Sequence, residues 1–105
     1  MIDIKIRHTA VTSTGHAGGI KGQDTVCAAV STLITTYAAM MQDAARRHLV
    51  EGLEIRLEPG DAEIRWIWAT ETRPYLMMLL RGLKLVDEAC PGRIRVEHIK
   101  HRRAR

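Results

Sequence analysis

Residues 24–52, DTVCAAVSTLITTYAAMMQDAARRHLVEG, carry the pattern that most restricts the fold. Apolar side chains recur there at steps of three and four residues, which is the period of an α-helix with one apolar face. The members of this stripe are Val26, Val30, Leu33, Ile34, Tyr37, Met40, Met41 and Ala44. Asp24 is a suitable N-cap, and Gly52 is placed to end the helix. The sequence therefore predicts one long helix here.

Alternating apolar and polar residues on both sides of this helix predict β-strands. Residues 2–7, IDIKIR, place three isoleucines on one face of a strand, and residues 8–14 either continue that strand or return as a second one. Residues 53–69 are typical of a hairpin that turns at Pro59-Gly60-Asp61. Trp66 and Trp68 then share one face of the returning strand, where we expect them to pack in the core.

A second helix is predicted over residues 72–90, with Pro74 in its first turn and Pro91-Gly92 after its end. The methionines of both predicted helices fall within apolar stripes and are interpreted as core residues; they are Met40, Met41, Met77 and Met78. Residues 93–99 predict a last strand. The order β(β)αββαβ indicates an α+β fold, a small antiparallel or mixed sheet with two helices on one face. Residues 1–105 are expected to form a single domain.

Composition favours a folded protein of the cell interior, with 46% hydrophobic and 27% charged residues. Residues 1–8 do not have the pattern of a signal peptide, and the longest apolar run, residues 75–80, is far shorter than the roughly 20 residues of a membrane span. We therefore expect a cytoplasmic protein without a membrane partner. The net charge is +4, and six of the 16 basic residues lie in residues 93–105. This tail can make a weak contact with RNA phosphates, but a solvated, frayed terminus is the interpretation that we prefer.

Four of the eight glycines lie in residues 15–22, GHAGGIKG, directly before the long helix. Cys27 falls in the first turn of that helix, where unpaired backbone N–H groups and the helix dipole favour an anionic thiolate. A loop so rich in glycine can fold back and bring His16 to the sulfur. A thiolate with an imidazole beside it is the catalytic pair of a thiol protease.

The residues alone leave other interpretations open. Cys27 can be an inert buried side chain and His16 an ordinary loop residue, since free cysteines usually serve in packing. Asp24 can cap the helix or orient the imidazole, and its negative charge opposes a nearby thiolate. Ser31 lies on the same helical face as Cys27 and can donate a hydrogen bond there, or bond back to a helix carbonyl.

Other site classes have weaker support. The glycine-rich segment matches neither GxxxxGK[ST] nor GxGxxG, which argues against a phosphate-binding loop. Zinc binding by His16 and Cys27 needs two more ligands, and no spacing supports Cys90 and His98 in that role. A redox-sensing role for the Cys27 thiol is a further, weaker hypothesis. We expect neither a metal nor a cofactor.

Several stretches together carry a resemblance to a known family. They are GHA at residues 15–17, GQDTVCAAVS at residues 22–31 and LLRGLKLVDEACPGRIRVEHI at residues 79–99. This pattern resembles the bacterial ribosomal-processing cysteine protease Prp family. The likeness runs through the chain from residue 15 onward.

The resemblance implies a homodimeric endopeptidase that removes a short N-terminal extension from a large-subunit ribosomal protein. It implies Cys27 as nucleophile, His16 as general acid and base, and Asp24 and Ser31 as accessory residues. The glycine-bearing loop is then a substrate loop, formed by Gly15, Ala17, Gly18, Gly19 and Gly22. The substrate is a ribosomal protein precursor or another protein. The alternative is a non-catalytic ribosome-associated or assembly factor with the same fold.

Overall fold

The computed structural model describes residues 1–16 and 24–99. Its seven strands and two helices alternate much as the sequence pattern predicts. In chain order they are β1 (Ile2–Arg7), β2 (Ala10–Thr14), α1 (Thr25–Arg46), β3 (Val50–Glu51), β4 (Glu54–Glu58), β5 (Asp61–Arg65), β6 (Trp68–Ala69), α2 (Arg73–Ala89) and β7 (Ile94–His98).

Five of the strands form a mixed sheet in the order β4-β5-β2-β1-β7. All neighbours are antiparallel except β7, which runs parallel to β1. The open question at the N-terminus is settled in favour of two strands, because β2 returns along β1 with Arg7 opposite Ala10. The mixed α+β architecture with two helices is therefore confirmed.

The two faces of the sheet differ in chemistry because side chains alternate along each strand. Ile2, Ile4 and Ile6 of β1 are buried on one face, in one apolar cluster with side chains of both helices. The other face is polar and carries ion pairs, such as Arg95 with Asp3 at 2.7 Å and Arg65 with Glu54 at 2.6 Å. The helices thus cover one face of the sheet, as predicted.

Helix α1 buries most of the predicted stripe. The buried residues of α1 are Ala38 and six members of the stripe, Val26, Val30, Ile34, Tyr37, Met41 and Ala44. The prediction that Gly52 ends this helix was wrong, since α1 ends at Arg46 with Arg47 as its C-cap. The chain instead turns there into β3, and Gly52 lies between β3 and β4 with a φ of 71°.

Among the described residues, α1 is long and apolar enough to cross a membrane by length and composition alone, with a mean hydropathy of 1.2. The sequence estimate based on the longest unbroken apolar run did not detect this property. Core helices meet the same criterion, and seven α1 side chains are buried in this fold. Packing of the apolar face against the sheet and α2 accounts for the composition of α1.

The predicted hairpin is present as β4 and β5, but the two tryptophans do not share its second strand. β5 ends at Arg65, and Trp68 lies in β6, which pairs with β3. Trp66 is half-buried with its ring centroid 6.4 Å from that of Tyr37, whereas Trp68 is 50% exposed. The core assignment is confirmed for Trp66 and wrong for Trp68, because the chain leaves the hairpin after Arg65 and Trp68 belongs to the separate β3–β6 pair.

Helix α2 packs on α1 and has the predicted boundaries, with Pro74 in its first turn and Cys90 as its C-cap. Gly82 permits the close approach of the helices, since a Cβ there would lie 2.5 Å from a methyl carbon of Leu33. Met77 is 48% exposed, so its assignment to the core was wrong. It lies on the outer face of α2, whereas the buried residues of that helix are Leu79 and Leu83.

Candidate active site

A cleft of about 380 Å³ lies beside the N-terminal half of α1. Its walls come from the end of β2, from α1 and from the turn between β4 and β5. The lining residues with reactive or hydrogen-bonding side chains include His16, Cys27, Ser31, Glu58 and Asp61. The cleft therefore brings together three of the four chemically active residues predicted from the sequence.

Cys27 is half-buried in the first turn of α1. The Asp24 carboxylate caps this turn, with Oδ1 accepting hydrogen bonds from the backbone N–H groups of Val26 at 3.0 Å and Cys27 at 3.1 Å. The predicted N-cap is confirmed. Cys27 therefore lies at the end of α1 that has a partial positive charge.

The second carboxylate oxygen of Asp24 has a partner far away in the sequence. Arg93 Nη2 donates to Asp24 Oδ2 at 3.1 Å, and the Asp24 side chain is only 9% exposed. This contact could not be predicted from the sequence, because the two residues are 69 positions apart. A nearly buried carboxylate needs such a partner, since an unpaired buried charge is strongly unfavourable.

His16 lies at the opposite wall of the cleft, against the turn between β4 and β5. The Gly15 N–H donates to the Gly60 carbonyl at 3.0 Å, and the Met1 nitrogen donates to the His16 carbonyl at 2.6 Å. The imidazole covers Gly60 so closely that a Cβ on Gly60 would lie 2.6 Å from His16 Nε2. Hydrogen bonds thus hold the backbone of Gly15 and His16 in place, while the imidazole ring packs on Gly60.

Gly15 makes this arrangement possible. Its φ of 99° is a conformation that side chains rarely allow, and a Cβ there would collide with the Met1 carbonyl oxygen. Gly15 belongs to the predicted substrate loop and lines the cleft. Ala17, Gly18, Gly19 and Gly22, the other predicted loop residues, lie outside the described residues.

Ser31 is exposed on α1 one helical turn after Cys27, and both side chains line the cleft. The prediction that these two residues share a helical face is therefore confirmed. A hydroxyl at this distance along the helix can point to the same space as the thiol.

The turn between β4 and β5 is the part of the site that sequence reasoning missed. It was recognised as a turn, but nothing in its sequence indicated that it closes the cleft. Glu58 and Asp61 add acidic groups to this wall, and Arg56 bonds to Asp61 at 2.6 Å and to Glu58 at 3.5 Å. Asp61 raises the pKa of Arg56 through this hydrogen bond. Arg56 therefore offsets part of the negative charge at the cleft.

No group of three or more metal-binding side chains comes together within residues 1–16 and 24–99. The cleft lining contains His16 and Cys27 but neither Cys90 nor His98, the two further zinc ligands considered above. In the described part of the chain, the cleft lining therefore includes a thiol, an imidazole, two carboxylates and the hydroxyls of Ser13, Ser31 and Thr35.

Comparison with known proteins identifies a family to which this chain is similar. The family model described as cysteine protease Prp matches residues 1–95. No curated protein sequence gives a significant match.

Solved structures with a similar fold include a Prp protease. The ribosomal processing protease Prp from Staphylococcus aureus, in complex with a covalently linked product peptide, is 25% identical with a TM-score of 0.71. That comparison covers 94% of this chain and 100% of the other. A second structure of that protease, with a substrate peptide, is 24% identical with a TM-score of 0.62, covering 93% and 97% of the two chains. A protein from Streptococcus mutans is 24% identical with a TM-score of 0.65, covering 95% and 93%.

The last two structures support the shared fold. The family match over nearly the whole length of the chain also includes the cysteine in the helical turn and the histidine across the cleft. The chain belongs to the Prp family of cysteine proteases.

Proposed function

We propose that this protein is a cytoplasmic processing endopeptidase that removes an N-terminal extension from a large-subunit ribosomal protein. Cys27 is the nucleophile and His16 the general acid and base. The observation that carries the proposal is the cleft itself, which is lined by both side chains and is open to a peptide. The similar protease from Staphylococcus aureus is a ribosomal processing protease and has been captured with a product peptide bound covalently.

The chemistry follows from these groups. The Cys27 thiolate attacks the carbonyl carbon of the scissile peptide bond, and the carbonyl oxygen becomes an oxyanion. His16 in its protonated form then gives a proton to the leaving amine, and the acyl group remains on sulfur as a thioester. His16 next removes a proton from water, which hydrolyses the thioester and restores the thiolate.

Ser31 and Asp24 support these steps in different ways. The Ser31 hydroxyl, one turn from the thiol, can donate a hydrogen bond to a reacting oxygen in the cleft. The Asp24 carboxylate caps the helix that carries the nucleophile. A substrate peptide binds in the cleft beside the β4–β5 turn, and Gly15, the described residue of the proposed substrate loop, lines that cleft.

The proposal also includes the assembly and the partners. We propose a homodimer, as the resemblance to the family implies, and a weak contact of the basic C-terminal tail with RNA. The structure describes this tail only as far as Ile99, and residues 100–105 lie outside the described residues. Analytical ultracentrifugation tests the dimer, and a salt titration of RNA binding by a chain truncated after Ile99 tests the tail.

The central experiment incubates the protein with a ribosomal protein precursor that retains its N-terminal extension. Mass spectrometry of the products should show one shortened protein with the wild type and with Cys90→Ala, and intact precursor with Cys27→Ala. Cys90 is the matched control because it is the other cysteine of the chain and is also half-buried. An intact precursor with the wild type would reject the proposed substrate, and cleavage by Cys27→Ala would reject the nucleophile.

A further inference from the structure

The charge of Asp24 conflicts with the chemistry assigned to Cys27. The Asp24 carboxylate lies within hydrogen-bond distance of the backbone nitrogen of Cys27, at 3.1 Å. A full negative charge at this position disfavours a neighbouring thiolate, and the helix dipole supplies only about half a unit of positive charge in return. The cap that orders the first turn of α1 therefore also works against the nucleophile.

Arg93 is positioned to remove this conflict. The two oxygens of the Asp24 carboxylate have separate partners, with Oδ1 facing the helix N–H groups and Oδ2 bonded to Arg93 Nη2 at 3.1 Å. Arg93 is itself held at its backbone, because its carbonyl accepts a hydrogen bond from the Ile2 N–H at 3.1 Å. Its guanidinium is 36% exposed, whereas the Asp24 side chain is 9% exposed, so solvent screens the pair only in part.

We propose that Arg93 is a positioning residue for catalysis, which neutralises Asp24 and thereby lets one carboxylate cap α1 without suppressing the Cys27 thiolate. This inference rests on the proposed function of Cys27 as nucleophile. Arg93 does not line the cleft, so it acts through Asp24 and not on the substrate. Because arginine remains protonated at all physiological pH values, this compensation is permanent.

Other titratable groups that line the same cleft as the thiol come from two further parts of the fold. His16 lies at the end of the described N-terminal segment, and Glu58 and Asp61 lie on the β4–β5 turn across the cleft. Arg56 pairs with both acids of that turn. Each acidic region near the cleft therefore pairs with an arginine. Arg56 pairs with the acids of the β4–β5 turn, and Arg93 pairs with Asp24 at the start of α1.

The test measures the rate of Cys27 alkylation by iodoacetamide as a function of pH in the full chain, with peptide mass spectrometry to identify the modified residue. Arg93→Met keeps the length of the side chain and removes its charge. We expect the midpoint of the pH profile to move up by about one pH unit, and alkylation at pH 6 to slow roughly tenfold. Arg93→Lys, which keeps the charge, should retain most of the wild-type rate.

Arg95→Met is the matched control. Arg95 is two residues further along, and its own partner is Asp3 at 2.7 Å on the polar face of the sheet. This variant makes the same change in net charge but should leave the alkylation profile unchanged. A Tm measurement on each variant separates an effect on folding from an effect on the thiol.

A double variant tests the route through Asp24. Asp24→Asn keeps a good helix cap and removes the charge, so Arg93→Met added to Asp24→Asn should no longer move the profile. If Arg93→Met alone does not fold, the double variant and Arg93→Lys decide the question. A wild-type profile in both supports the proposal, and a raised midpoint in either overturns it.

Two further outcomes would also overturn the proposal. One is a lower Tm for Arg93→Met with an unchanged profile, which would give Arg93 a purely structural role. The other is the same shift in the presence and absence of the Asp24 charge, which would mean that Arg93 acts on the thiol directly. The alkylation assay uses no protein substrate, so its result is independent of whether the ribosomal precursor is cleaved. Failure of the proposed substrate is therefore distinguishable from failure of this inference.

Discussion

The two cysteines of this chain lie at opposite ends of helices, and that difference separates their chemistry. Both are half-buried cysteines outside any disulfide, and both pack against the same core. Cys27 lies in the first turn of α1, at the positive end of the helix dipole. Cys90 is the C-cap of α2, at the negative end, where its N–H donates to the Val86 carbonyl at 2.9 Å.

The surroundings of the two thiols strengthen the contrast. Cys27 lines a cleft that also contains His16, whereas Cys90 does not line this cleft. One helical turn from Cys27 is the Ser31 hydroxyl, and one turn from Cys90 is the apolar side chain of Val86. The same side chain with similar burial can thus be a nucleophile or a core residue, depending on the helix end and on its neighbours.

The largest expected effect concerns the His16 imidazole, which lines the same cleft as Cys27. His16→Ala should lower kcat/KM for precursor cleavage by about 10²- to 10⁴-fold, because the leaving amine loses its proton donor. His98→Ala on β7, outside the cleft, is the control and should retain wild-type activity. Steady-state kinetics with a fluorogenic peptide checks both. Equal activity of the wild type and His16→Ala would remove the imidazole from the mechanism.

The second prediction compares the thiols directly by alkylation. At pH 6 iodoacetamide should modify Cys27 at least about tenfold faster than Cys90, since the rate depends on the thiolate fraction and the two helix ends act in opposite directions. Peptide mass spectrometry over a time course gives both rates in one sample. In 8 M urea, where both helices are unfolded, the two rates should converge. A difference that persists in urea would show that the helix ends are not its cause.

How far the sequence predicted this site depended on the distance over which each interaction acts. The positions of Asp24, Cys27 and Ser31 on α1 were predicted correctly because capping and helical spacing are local properties of a few consecutive residues. The placement of His16 and Cys27 in one cleft was predicted from loop flexibility and from the family resemblance. Their joint position depends on the β4–β5 turn, for which the sequence has no local signal.

The same distinction explains the errors in the fold. The sheet and both helices follow from periodicity, but the ribbon of β3 and β6 was missed because each strand has only two residues. Trp68 was placed with Trp66 because alternation continues through a point where the chain leaves the sheet. Arg93 was missed for the opposite reason, since its partner Asp24 is separated from it by most of the chain.

A third prediction uses two glycines, one in the cleft of Cys27 and one beside Cys90. Gly60 and Gly92 have nearly equal positive φ values, 72° and 80°, so alanine at either position should cost about 1–2 kcal/mol of stability. A Cβ added at Gly60 would meet the His16 ring, whereas nothing lies within 4 Å of a Cβ added at Gly92. Gly60→Ala should therefore lower kcat/KM by roughly tenfold more than Gly92→Ala.

Denaturant unfolding and peptide kinetics on the same samples check this pair of variants. Equal losses of stability with unequal losses of activity would show that Gly60 holds the imidazole in place. Equal losses of activity would instead assign both effects to the backbone. Double variants with His16→Ala refine the result, since the additional loss from Gly60→Ala should disappear once the imidazole is absent.

The last prediction concerns Ser31, whose hydroxyl lies one helical turn after Cys27. Ser31→Ala removes a hydroxyl from the cleft without creating a cavity, since the side chain is exposed. If this hydroxyl donates to the oxyanion of the intermediate, kcat should fall by about 10- to 100-fold with KM nearly unchanged, below the loss from His16→Ala. Thr32→Ala is the control, because its hydroxyl bonds back to the Ala28 carbonyl at 2.9 Å within the helix. A rise in KM at constant kcat for Ser31→Ala would mean that the hydroxyl contributes to peptide binding and not to the chemical step.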